Sequence, residues 1–217
     1  KKKRTPLRKR HYRGHYPVSE PFELTDIIDD VERVARHLNR PLNVIGEALG
    51  GTLALALAQR VPELVKGCVV SGIPVLQDSS RRSRFGELMK VFAEGDMGRF
   101  TDAILEVVFS PGWHPSHPGE IKRLRQQLLQ NRSAETLGWL FKAAGSYPRK
   151  SICYQDIQLP VLVLAVLHDY LIGPDHARKL AELLPQSRLI ELDCGHAATF
   201  ELSEEIAQMA HVFFQQL

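Results

Sequence analysis

Val161–Val166 reads VLVLAV, six consecutive apolar residues, and Val65–Ile73 (VKGCVVSGI) is apolar on both of its faces. Successive side chains of a β-strand point to opposite sides, so such a run must be covered above and below. That is the position of a buried strand in a parallel sheet. The segments around these runs alternate with helical periods. Leu24–Leu38 carries one stripe of Ile27, Ile28, Val31, Val34, Ala35 and Leu38, with Thr25 placed to cap it and Asp26 and Asp29 suited to its first turn. Leu42–Ile45 follows Pro41 as a short strand, and Gly50–Gln59 reads as a buried helix. A helix starts at Ile172–Pro174, with Pro174 fitting the first turn. Ser187–Leu192 is a strand, and Glu201–Gln216 closes the chain as a helix. Helix and strand in alternation predict an α/β fold: a mostly parallel sheet flanked by helices, with right-handed crossovers.

The middle of the chain breaks this alternation. Residues 79–147 are richer in charge and show only helical spacings, such as Phe85, Leu88, Met89 and Phe92, then Phe100, Ile104, Val107 and Val108. They are expected to form a helical cap (79–147) inserted into a core made of residues 24–78 and 148–217. Residues 1–23 form a basic arm and loop. Residues 1–13 hold eight Lys or Arg and no acid; without those eight charges the +3 chain would carry −5. No basic face or base-stacking aromatic pattern follows the arm, so a nucleic-acid partner is not expected. No apolar run reaches the ~20 residues of a membrane span, and no signal-peptide core is visible. Three widely separated cysteines (Cys68, Cys153, Cys194) suit a reducing, cytoplasmic setting better than a disulfide framework.

The stretch most suggestive of chemistry is VIGEALGG, Val44–Gly51. A strand runs into G-x-x-x-G and then a helix. A turn this tight strains its central residue and throws that side chain out from the strand end. Small residues at Gly46 and Gly50 would let helix and strand approach, and the Leu49 N–H at the helix start would face a developing oxyanion. The central residue is Ala48, which has no nucleophilic atom. Two further residues sit just past predicted strands: Asp169 after Val161–Val166, and His196, behind Gly195, after Ser187–Leu192. Carboxyl ends of parallel strands are where such sheets place their sites. The order is elbow, acid, histidine.

On these residues the sequence resembles the α/β-hydrolase fold family. The matching stretches are PLNVIGEALGGTLALALAQRVPELVKGCVVSGIP, LPVLVLAVLHDYLIGPDHARKLAELLPQSRLIELDCGHAATFE and, more loosely, YRGHYPVSEPFELTDIIDDVERVARHL. The last is similar to a loop and helix of esterase- and lactonase-like members. The resemblance implies a general base at His196, its acid at Asp169 and a nucleophile position at Ala48. It implies no cofactor and no metal, and a parent activity of Ser-His-Asp hydrolysis of a small carboxylic ester, thioester or lactone. Three departures matter. The serine is replaced by Ala48, Tyr16 stands where the loop usually has glycine, and Val166 where glycine usually precedes the acid. The segment Lys1–His11 is too basic for a central strand, so the family's first strands are expected to be missing. Leu42–Ile45 would then be an apolar edge, covered by the N-terminal segment or by another copy in a homo-oligomer.

Other residues carry weaker signals. Glu47 adjoins Ala48, but its side chain should point away from the elbow tip. Cys194 reads as a small apolar filler. His114, His117 and Glu120 have metal-like spacing without a defined further ligand. Trp113, Trp139 and Phe141 are candidates to line a substrate pocket under the cap. Two functional readings follow: a hydrolase strongly impaired at its covalent step, or a non-catalytic relative that binds a small acyl ligand or a protein partner.

Overall fold

The computed structural model describes residues 20–76, 79–131, 133–147 and 151–217. Most of the basic arm, the loop at Arg13-Gly14 with Tyr16, and the expected boundaries at 78 and 148 lie outside these residues. Four strands, β1 (Leu42–Glu47), β2 (Val65–Ser71), β3 (Val161–His168) and β4 (Ser187–Gly195), pair in the order β1-β2-β3-β4, every pair parallel.

The doubly apolar runs behave as their composition demands. Cys68 and Val70 of β2, with Val161, Val163 and Ala165 of β3, pack into one core layer. There they meet α1 (Leu24–Leu38), α2 (Leu49–Arg60) and α8 (Pro174–Leu183). Val69 of β2, with Leu162, Leu164 and Val166 of β3, faces the opposite layer, closed by α9 (Ala198–Glu201) and α10 (Ser203–Gln215). Between β2 and β3 lie five helices: α3 (Ser79–Ala93), α4 (Met97–Val108), α5 (Trp113–Ser116), α6 (Pro118–Asn131) and α7 (Ala134–Ser146).

Several local expectations are corrected. Thr25 is not the cap of α1. Glu23 holds that position, and its N–H donates to the Asp26 carboxylate at 2.9 Å. Ile28 and Ala35 of the α1 stripe are buried, but Val34 and Leu38 are exposed. The closing helix is two helices, α9 and α10, broken at Leu202. Strands β3 and β4 run further than their apolar cores, because His168 still pairs with Gly195. Among the described residues β1 pairs with β2 alone and stands at a sheet edge, with Ile45 53% exposed.

Candidate active site

Because all four strands are parallel, their carboxyl ends share one edge of the sheet. Ala48, Gly72, Asp169 and His196 are the first residues after β1, β2, β3 and β4 respectively. The full lengths of β3 and β4 thus carry Asp169 and His196 directly onto strand ends.

The turn at Ala48 has the strained geometry expected of it. Ala48 adopts φ 53° and ψ −117°, a region L-residues rarely occupy. Its N–H donates to the Ser71 carbonyl at 2.9 Å, and its own carbonyl accepts from Thr52 N–H at 3.2 Å, opening α2. A Cβ on Gly46 would lie 2.3 Å from the Gly50 carbonyl oxygen, so that glycine is required. The second tight position is Gly51 rather than Gly50. A Cβ on Gly51 would meet Ile73 at 2.8 Å, whereas one on Gly50 would meet nothing. Leu49 is the first residue of α2, where backbone N–H groups lack an intrahelical partner.

Asp169 and His196 form a hydrogen-bonded pair. The buried Asp169 accepts at Oδ1 from the N–H groups of Leu171 and Ile172, both at 2.9 Å, and its Oδ2 lies 2.8 Å from His196 Nδ1. With Nδ1 against a carboxylate, that nitrogen carries the proton and Nε2 is left as the acceptor. Burial works against a charged imidazole. The hydrogen bond and charge of Asp169, with the charge of Glu47, outweigh it and hold His196 above the ordinary 6.5. Burial likewise favours a neutral Asp169, but the bond and charge of His196 and the two backbone N–H groups keep its carboxyl below the usual range. Gly72 (φ +63°) separates this ring from the elbow. A Cβ there would sit 3.0 Å from His196 Cε1 and 3.5 Å from the Ala48 nitrogen.

Other contacts fix the histidine segment and were not legible beforehand. The Glu47 carboxylate is engaged beside the histidine segment, accepting from Thr199 N–H (3.2 Å) and Oγ1–H (2.8 Å). Glu201 accepts from Ser110 N–H and Oγ–H, both at 2.6 Å, and from Gly195 N–H at 3.1 Å. Ala197 N–H donates to the Val108 carbonyl at 2.7 Å. His176 is buried, and its Nδ1 accepts from the N–H groups of Val75 (2.8 Å) and Leu76 (2.9 Å), holding the loop beyond Gly72. Most of these bonds join groups about 90 to 150 residues apart in sequence, which periodicity does not report. The nearest signal was an acid five residues after His196.

The three aromatic candidates separate. Trp113 stacks on Phe109 (4.1 Å between ring centres) and on His117 (4.4 Å), in a cluster that includes Ala197 beside the histidine. Phe141 packs edge-on against Phe85, Phe92 and Phe100, within the inserted helices. Trp139 is half-buried on α7. A cleft of about 720 Å³ opens between α4 and the loop after β3, lined by Leu105, Phe109, Ser110, His114, Ile121 and Tyr170 among others. None of the three candidates, nor Ala48 or His196, is in its lining. His117 is engaged with the Trp113 carbonyl at 3.0 Å, and no group of metal-binding side chains occurs among the described residues. The three cysteines are free; burial pushes the Cys68 and Cys194 thiols up to about 12.

A tight strand-to-helix elbow, an acid and a histidine, each on its own strand end, define the α/β-hydrolase arrangement. The sequence profile of the alpha/beta hydrolase fold matches residues 4–201, and the chain belongs to that family. A pyrrolizixenacetamide deacetylase of Xenorhabdus hominickii is 24% identical over 80% of the chain, and the chain spans 65% of that relative's length. Two solved structures share the fold. One is MGS-M2, an α/β hydrolase enzyme from a Medee basin deep-sea metagenome library (TM-score 0.81, 21% identity, 92% of this chain and 74% of that one). The other is the enol-lactonase of Burkholderia xenovorans LB400 (TM-score 0.78, 21% identity, 90% and 74%). Among the described residues no helix is long and apolar enough to cross a membrane.

Proposed function

We propose that this sheet edge is the acyl site of an esterase- or lactonase-type hydrolase in which Ala48 fills the nucleophile position. The parent reaction is hydrolysis of a small carboxylic ester, thioester or lactone. In it a serine at the elbow attacks, His196 is the base, Asp169 orients it and the Leu49 N–H receives the oxyanion. With a methyl group at that position no acyl-enzyme can form on the elbow, and the chain is strongly impaired in the reaction of its lineage. The observation that carries the reading is the His196–Asp169 pair, 2.8 Å apart, one glycine away from a residue held at φ 53°. An enol-lactonase and a deacetylase among the similar proteins support an acyl substrate class.

The test restores the missing atom. Ala48→Ser is expected to hydrolyse a p-nitrophenyl ester of a short acid and to be labelled by a fluorophosphonate, with both signals lost in the Ala48→Ser/His196→Ala double variant. Removal of a triad member leaves only ~10³–10⁴-fold catalysis over water, so the gain should span orders of magnitude. A folded Ala48→Ser chain with neither signal would leave the second reading, a binding protein for an acyl ligand or a partner chain.

A further inference from the structure

We propose that His196, oriented by Asp169, acts as a general base on water, so that the chain as it stands hydrolyses activated carboxylic esters without any covalent intermediate. This rests on the reading above that the sheet edge accepts acyl compounds.

His196 is held at one ring nitrogen. Its Nδ1 is committed to Asp169, which leaves Nε2 free of any hydrogen bond among the described residues. A positioned imidazole with an open nitrogen takes a proton from a hydroxyl or water as that oxygen attacks a carbonyl carbon. In the parent arrangement that oxygen belongs to a hydroxyl on the elbow; Ala48 supplies none. The neighbouring nucleophilic side chains are otherwise engaged. Ser110 donates its hydroxyl to Glu201, and Thr199 donates its own to Glu47. The Cys194 thiol is wholly buried, and burial pushes it up to about 12, so it presents no thiolate. Ser71 is buried at the end of β2, on the alternation that turns Val69 into the α10 layer. Water remains, and its oxygen is the size of the hydroxyl it would replace. Gly72 places no side chain between the ring and the elbow: a Cβ there would sit 3.0 Å from His196 Cε1 and 3.5 Å from the Ala48 nitrogen.

The step balances without another reagent. The water oxygen bonds to the ester carbonyl carbon as Nε2 takes one water proton. The carbonyl π pair moves onto oxygen, facing the N–H of Leu49. When the carbonyl re-forms, the bond to the leaving oxygen breaks, and the leaving group takes the proton back from Nε2. One ester and one water give one acid and one alcohol. The base works only when neutral. Because Asp169 and Glu47 hold His196 above 6.5, the rate rises with pH through a midpoint above that value.

The experiment follows p-nitrophenyl acetate hydrolysis by the unaltered chain. Steady turnover without a burst is expected, together with no acetyl adduct by intact-mass analysis after an acid quench. The kcat/KM should fall about 10²-fold or more in His196→Ala, the general-base range. Asp169→Asn, which keeps the shape but changes the tautomer, should also lower it, and Ser71→Ala should leave it unchanged. Circular dichroism and a thermal melt establish that each variant is folded. Equal rates in the unaltered chain and in folded His196→Ala and Asp169→Asn overturn the proposal. So does a burst with an acetyl adduct that Ser71→Ala removes. Fluorophosphonate labelling of Ala48→Ser separates the two readings. Labelling there without His196-dependent turnover in the unaltered chain sinks the water route alone; no labelling in a folded variant removes the acyl site and the proposal with it.

Discussion

Ala48 holds a backbone conformation that costs an L-residue of order 1–3 kcal/mol, and it does so without a side chain that makes any polar contact. The conformation is imposed by its surroundings: the Ser71 carbonyl takes its N–H, and Gly46 lies directly against the backbone of Gly50. Relief of the strain should therefore be measurable. Ala48→Gly is expected to stabilise the chain by roughly 1 kcal/mol, the strain removed less glycine's extra unfolded-state entropy. For a chain of this size that is a rise of about 2–4 °C in Tm by differential scanning calorimetry. An unchanged or lower Tm would mean that the turn is unstrained. The elbow was legible from its context: G-x-x-x-G alone also serves helix packing, but Asp169 and His196 follow it in order, each past its own strand. Which glycine does the packing was not. Gly50 and Gly51 are adjacent in sequence, and only the position of Ile73 shows that Gly51 is the confined one.

At the scale of elements, α9 ties the inserted helices to the histidine segment. Glu201 stands at its end and gathers three donors, two from Ser110 beyond α4 and one from Gly195 at the end of β4. Backbone contact there is close, for a Cβ on Gly195 would lie 2.3 Å from the Ser110 nitrogen. Glu201→Ala leaves the N–H groups of Ser110 and Gly195 without an acceptor in a part-buried place. At about 1–3 kcal/mol for each of the two unpaired groups, a loss of roughly 2–6 kcal/mol is expected in urea unfolding. Glu201→Gln keeps one carbonyl oxygen for those donors and should lose less than half of that. Equal losses would show that the negative charge, not the acceptor geometry, carries the effect. The elements themselves were readable to within a few residues, since the apolar period separates strand from helix directly. Their ends were less so. His168 and Gly195 look like loop residues, yet they pair and lengthen β3 and β4. The stripe on α1 gave the right face but not how far its neighbours reach, which is why Val34 and Leu38 emerge exposed.

For the whole molecule, helices close the faces of the sheet, while among the described residues each outer strand, β1 and β4, has a partner strand on one side only, and Ile45 of β1 stands half exposed. An edge strand presents alternate N–H and C=O groups ready to pair with another chain, and soluble proteins shield such edges. We expect the β1 edge to be shielded in solution. Hydrogen–deuterium exchange of a peptide spanning Leu42–Glu47 reads the shield directly, because an uncovered outer amide exchanges at a rate close to that of a loop. Slow exchange at every position of β1 is the expected result. Protection that holds on dilution from 50 to 0.5 times the concentration at which the chain first associates, a point set by light scattering, places the cover within one chain. Protection that falls away on dilution assigns it to a second copy, and light scattering should then report a dimer over the same range. Rapid exchange of the outward-facing amides at every concentration would show that the edge is bare, and that charge and strand shortness alone keep it from pairing.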